Sequence, residues 1–150
     1  FLRDVREALH FHIDEGNPPV SVVKREYKTR HKRKYIGTSM ESDNRDYPRK
    51  NWSSLIVFNC GHPRNRILTQ DFVDGNSGAD LHRFCWLMDS EIGALPLRWN
   101  VLIGEDGENE NDPAVLHYTL GIPAFTHYAN CLHSERFFDA VRAMTNGAQL

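Results

Sequence analysis

The stretch from Tyr47 to Arg66, YPRKNWSSLIVFNCGHPRNR, constrains the fold more than any other part of the chain. A cationic turn (Arg49, Lys50) with Asn51, Trp52 and two serines leads into the apolar run Leu55 to Phe58, which breaks at Asn59, Cys60 and Gly61. An apolar run this short, rich in β-branched and aromatic side chains and bounded by Pro and Gly, predicts a strand covered on both faces. Such strands belong to α/β sheets, in which ligands gather at strand ends. The polar lips on either side of the run are therefore the first places to look for a site.

The rest of the chain is read around that strand. Leu2, Val5, Ala8 and Leu9 recur at helical spacing, with Asp4 near the start where a carboxylate suits the helix dipole. Val20 to Val23 predicts a strand, and Thr38 to Asp46 a loop. Thr69 is placed to cap a helical turn through Val73, and Ser77 precedes a second helix over Ala79 to Leu87. Asp89 is read as the cap of a turn from Ser90 to Ala94. Leu97 to Ile103 predicts a strand with Trp99 packed inside, and the acidic Gly104 to Asp112 a mobile surface loop. Ala114 to Leu116 is a further short strand that carries His117 at its end, and Ser134 to Met144 a closing helix, with fraying from Gly147 onward.

The 150 residues suffice for one domain with a sizeable core. A net charge of −2 argues against a dedicated nucleic-acid binder, and no run approaches the roughly 20 apolar residues of a membrane span. Three cysteines, Cys60, Cys85 and Cys131, without a CxxC pair make a disulfide framework an unlikely design and a reducing, cytoplasmic compartment the default expectation. The chain opens on Phe1 and enters a helical pattern at once, which suggests an incomplete frame or an excised piece.

Several landmarks occur in a fixed order: YPRKNWSS and its apolar run, NCGHP with a following N-R, LHRF, W-L-x-D, L-P-x-x-W-N and L-H-Y-T-x-G-x-P. In that order they resemble bacterial glycosyltransferases of the GT-A fold related to family 8, over about Val22 to Phe125. The resemblance implies an α/β fold, the C-terminal portion of a GT-A domain with a mixed sheet flanked by helices. It implies transfer of a hexosyl unit from a nucleotide-diphosphate sugar to an acceptor hydroxyl on a glycan or glycolipid. His117 would be a ligand of a divalent metal, manganese, whose remaining ligands, an Asp-x-Asp, are expected upstream of Phe1. Asp89 would act on the donor sugar, with Asn59 lining the same site. Lys34, in the K-Y-x-G of a loop over the site, would face phosphate or acceptor together with Arg49 and Lys50. Asn51 and Trp52 would line the pocket, and Gly121 would let backbone approach the phosphates. The chain departs from the family in having Ser90 after Asp89, and Pro123 and Phe125 where Lys and Trp are usual.

Two readings from other classes stand beside this one. The basic stretch Lys24 to Tyr35, with Tyr27 and Tyr35 among its Lys and Arg, suits a non-catalytic module for anionic ligands, including a peripheral contact with anionic lipid. The pairs Cys60-x-His62, His82-x-x-Cys85 and Cys131-x-His133 suit a zinc-stabilised binding domain, although C-x-H is a short spacing for a structural site.

Overall fold

The structure is a computed structural model that describes residues 2–147. It is an α/β arrangement of small sheets and four helices. The central sheet has the order β4-β1-β5, with β1 (Val20–Val22) in the middle, antiparallel to β4 (Ile56–Phe58) and parallel to β5 (Ile92–Ala94). Val20 faces Phe58 on one side and Ile92 on the other. A second pair, β2 (Arg33–Lys34) with β3 (Ser42–Asp43), is antiparallel, and a third, β6 (Val101–Leu102) with β7 (Leu116–His117), is parallel. The helices are α1 (Arg6–Asp14), α2 (Gln70–Gly75), α3 (Gly78–His82) and α4 (Ser134–Gly147).

The period of two along a strand divides the core. Val20, Val22 and Ile92 pack with Trp52, Phe84 and Leu87 on one face of the sheet. Val23 and Leu95 pack with Ala8, Trp99 and Ala114 on the other, joined by Leu55 and Val57. Full burial of side chains of this size stabilises by roughly 1.5–3 kcal/mol each. Between the valines, buried Ser21 meets His12 of α1, with Oγ 2.8 Å from Nδ1. Gly93, the β5 partner of Ser21, leaves room for that contact: a Cβ there would lie 2.5 Å from both Ser21 Oγ and Pro18 Cγ.

The expected caps form as read. The Thr69 side chain accepts from the Phe72 N–H, and the Ser77 side chain from that of Asp80. Other expectations are corrected. The strand after Trp52 is an edge strand, not a covered one: β4 has a single neighbour and Phe58 is 43% exposed, while the fully buried centre is β1. Leu97 to Ile103 is not one strand, because Pro96 starts a 3₁₀ turn over Leu97–Asn100 that drives Trp99 inward before β6 begins. The second helix stops at His82, since Phe84 adopts a left-handed conformation (φ 52°). Asp89 does not cap a helical turn to Ala94. It opens a 3₁₀ turn, Asp89–Glu91, whose Glu91 carboxylate accepts the Met88 N–H at 2.9 Å, and Ile92 to Ala94 is β5.

The apolar stripe of α1 is also not the buried face: Leu2, Val5 and Leu9 are exposed, and the helix docks through Ala8 and His12. The strand expected at Ala114 to Leu116 is shorter and begins only at Leu116, running Leu116–His117 where it meets β6. The closing helix forms as expected, with the Phe137 ring edge-on to Tyr118 at 5.8 Å. Gly147, expected to fray, still belongs to α4, and the residues after it lie outside the described residues. No described helix is long and apolar enough to cross a membrane.

Candidate functional site

An open cleft of about 760 Å³ lies beside the C-terminal end of β1, lined by residues from Arg25 to Lys28, Asp46 to Lys50, Trp52 and Asp89. The sheet builds its floor. Past buried Val22 and Val23 the chain turns Lys24 outward and reaches Arg25, whose side chain is 2% exposed and pairs with Asp106 at 2.9 Å. Arg25 also donates to the Asn100 carbonyl, while its own carbonyl accepts from Trp52 Nε1 at 2.9 Å. Trp52 is 6% exposed and belongs to the core, so it walls the cleft from behind and offers no open ring face. Tyr27 donates no proton readily: burial, reinforced by the Glu105 charge, raises its phenol well above the usual range, and its oxygen accepts from Asn51 Nδ2 at 2.7 Å.

The two cations of the YPRKN turn are consumed by their own surroundings. Arg49, itself left-handed at φ 57°, donates to the carbonyls of Arg83, Phe84 (3.0 Å) and Leu87 (2.8 Å) and to Asp89 Oδ1 at 2.7 Å. A guanidinium has five N–H groups, so little donor capacity is left for a ligand. Lys50 is 8% exposed and donates to Asn44 Oδ1 at 2.7 Å and the Arg45 carbonyl at 2.5 Å. Burial, with the Lys34 charge adding to it, holds its ammonium below the usual lysine range. The expectation that Arg49 and Lys50 face phosphate is thus corrected to a clamp and a buried network. The cation that remains open at the cleft is Lys28, 88% exposed at its side chain and 4.0 Å from Asp46. Asp89 stands at the mouth with its side chain 72% exposed, oriented by Arg49, while its carbonyl accepts from Lys24 Nζ at 2.9 Å.

Asn51 (φ 60°) lines a second cleft of about 400 Å³ that shares Tyr47 with the first and contains Ser53, His82 and Arg83. His117 does not line the main cleft, and the structure does not bring it to Asp89; it lies behind Asn100, with His117 Nδ1 3.1 Å from Asn100 Oδ1, Asn100 Nδ2 donating at 2.9 Å to the carbonyl of Asn51 in the second cleft, and the Asn100 carbonyl accepting from Arg25 of the first. Desolvation first, then the charges of Arg25 and Lys34, push His117 down to about 4. It is therefore a neutral imidazole at pH 7, the form that binds metals. Lys34 stands in β2 over the Tyr35 ring at 5.3 Å, outside the lining of the main cleft. Asn59 and Gly121 are not brought to the site. The Asn59 side chain ties the Asn17 carbonyl (3.0 Å) to the Gly61 N–H (3.1 Å), and Gly121 is required by Tyr128, whose Cε2 would lie 2.3 Å from an added Cβ.

The depressed His117 makes a prediction about acid. Its folded value lies below the 6.5 of the unfolded chain, so between about pH 6.5 and 4 the unfolded state binds more protons and stability falls with pH. Buried His12, lowered by desolvation, acts in the same direction. Urea titrations at pH 7.5 and 5 are expected to show that loss, and His117→Gln to flatten most of it; an unchanged slope in His117→Gln would reject the assignment.

Sequence reasoning missed Asn100 and Glu105. Glu105 lies in the segment expected to be a mobile loop, yet it is 1% exposed and accepts from the Arg30 and His31 N–H groups (2.7 and 3.4 Å) and Asn44 Nδ2 (2.7 Å). The basic stretch is therefore pinned from below and its arginines are paired: Arg25 with Asp106, Arg30 with Glu108, and Arg33 with Glu41 and Asp43. Among the described residues no three His, Cys, Asp or Glu side chains gather as a cation site, and His62 and His82 direct Nδ1 to the Arg64 N–H and Ser53 Oγ.

The chain is similar to Protein CDI of Arabidopsis thaliana. The two are 38% identical over 135 residues, 87% of this chain, which spans about half the length of that relative. No family model and no solved structure matches the chain.

Proposed function

We propose that this chain is part of a GT-A type glycosyltransferase that moves a hexosyl unit from a nucleotide-diphosphate sugar to an acceptor hydroxyl of a glycan or glycolipid. The observation that carries the reading is convergence. Arg49, Trp52 and Asp89, drawn from two landmarks about 40 residues apart, meet with Arg25, Tyr27 and Lys28 around one cleft of a size that accommodates a nucleotide sugar. In this reading Lys28 faces the diphosphate, Asp89 accepts hydrogen bonds from donor-sugar hydroxyls, and Arg49 holds Asp89 in place. The neighbouring cleft at Tyr47 gives an acceptor a place beside the donor.

His117 fits a divalent metal as one ligand: it is neutral, and its Nδ1 is already engaged by an amide oxygen. Further ligands do not come from the described residues, none of which group suitably around it. Carboxylates and imidazole together suit manganese, which would offset charge developing on the leaving diphosphate. The chain's own residues bind, orient and screen: Asn100 holds the imidazole, and Trp52 closes the cleft from the core side.

The test is donor-sugar turnover by the full-length protein with and without Mn²⁺. His117→Ala is expected to abolish metal-dependent turnover while leaving the circular dichroism spectrum intact. Unchanged activity in that variant would remove His117 from the metal site. Binding of nucleotide diphosphate that is steeply salt-dependent, needs no metal and survives His117→Ala would favour the anion-binding module instead.

A further inference from the structure

Asn100 is 1% exposed and sits between three partners. Its amide nitrogen donates to the Asn51 carbonyl at 2.9 Å, its amide oxygen lies 3.1 Å from His117 Nδ1, and its main-chain carbonyl accepts from Arg25 Nη2. These contacts admit one orientation of the amide. Turned over, Oδ1 would confront the Asn51 carbonyl oxygen, leaving two acceptors with no proton between them. With Nδ2 committed to Asn51, Oδ1 can only accept, and the proton in the His117 contact must come from the ring.

We propose that Asn100 is a positioning residue that holds His117 as the Nδ1–H tautomer, leaving Nε2 as the single lone pair that the ring can offer. The backbone fixes both partners: Leu102 pairs with His117 across β6 and β7, and Asn100 immediately precedes β6. Among the described residues Nε2 has no hydrogen-bond partner, and it is not one of the polar atoms sealed from solvent without one. The proton on Nδ1 stands on this geometry alone; only the use of Nε2 toward a metal rests on the transferase reading.

The experiment is long-range ¹H–¹⁵N correlation spectroscopy on the metal-free full-length protein with ¹⁵N-labelled histidines at pH 7.5, His117 being assigned by its loss in His117→Gln. The expected spectrum has a pyrrole-type Nδ1 and a pyridine-type Nε2. A pyrrole-type Nε2, or signals averaged between the two forms, overturns the proposal. Asn100→Ala removes the acceptor that faces Nδ1 and is expected to give a mixture of tautomers. A folded Asn100→Ala protein with an unchanged His117 pattern also overturns the positioning role. Should Asn100→Ala fail to fold, the wild-type spectrum still decides the proposal. An Nδ1–H spectrum in a protein without transfer activity would reject the transferase reading alone; turnover with an Nε2–H spectrum would reject the tautomer alone.

Discussion

Replacing Arg49 with alanine is expected to lower stability by about 3 kcal/mol, because a half-buried guanidinium that serves several acceptors cannot be replaced by water at all of them. The side chain is 16% exposed and bonds the carbonyls of Arg83, Phe84 and Leu87 as well as Asp89. Those carbonyls belong to a turn that the chain enters through left-handed Phe84, a conformation that costs a bulky residue roughly 1–2 kcal/mol and persists only when its surroundings hold it. Arg49 is the group that holds it. In a chain of this size the loss corresponds to about 6–12 °C in Tm. Arg49→Lys is expected to recover less than half, since one ammonium nitrogen cannot span three separated carbonyls. Asp89→Asn leaves those carbonyl contacts in place and removes only an exposed ion pair, so its effect is expected to be small. Thermal and urea denaturation of the three variants decide the matter. Equal losses in Asp89→Asn and Arg49→Ala would show that the ion pair, not the carbonyl clamp, carries the contact.

A larger loss, on the order of 3–5 kcal/mol, is expected for Glu105→Ala. That carboxylate is 1% exposed, and its removal strands two main-chain N–H groups and one of the two N–H groups of the Asn44 amide, whose oxygen accepts from Lys50. Lys50 would then keep its charge in a buried place without the nearby carboxylate that favours it. The penalty therefore arises from a cation left with less compensation, Asp46 alone remaining nearby, as much as from lost hydrogen bonds. Removing both charges, in Glu105→Gln with Lys50→Met, is expected to cost less than the two single changes together, with a coupling of at least about 1 kcal/mol. Additive losses in that double-mutant cycle would mean that Glu105 and Lys50 do not share a network. Weakened protection of the Arg30 and His31 amides against hydrogen exchange is expected in Glu105→Ala, since both donate to the missing carboxylate.

Both predictions concern residues whose roles differ from what spacing suggests. Arg49 and Lys50 are legible in the sequence as a cationic pair before a strand, and the structure does put them at a cleft. Their partners are not legible. Arg49 finds its acceptors some 35 residues on, in carbonyls that no side-chain pattern announces. Glu105 lies in a run of charges that composition assigns to solvent, and only the folding of 29–31 and Asn44 over it makes it a buried hub. Gly121 looks like a glycine for ligand approach, yet the neighbour that excludes a Cβ is Tyr128.

The sequence by itself determined the local matters: α/β character, the β-branched strand at Val20, the Thr69 and Ser77 caps, and the closing helix. These follow from periodicity, capping chemistry and residue order, which act over a few positions. Only the tertiary structure decided which strand is central, which cations stay exposed at the cleft, and that Asn100 stands between His117 and Asn51. The physical reason is that burial and hydrogen-bond saturation are set by what arrives from elsewhere in the chain. A lysine at a turn reads the same whether water or a buried carboxylate network takes its protons, and only the packed chain distinguishes Lys28 from Lys50.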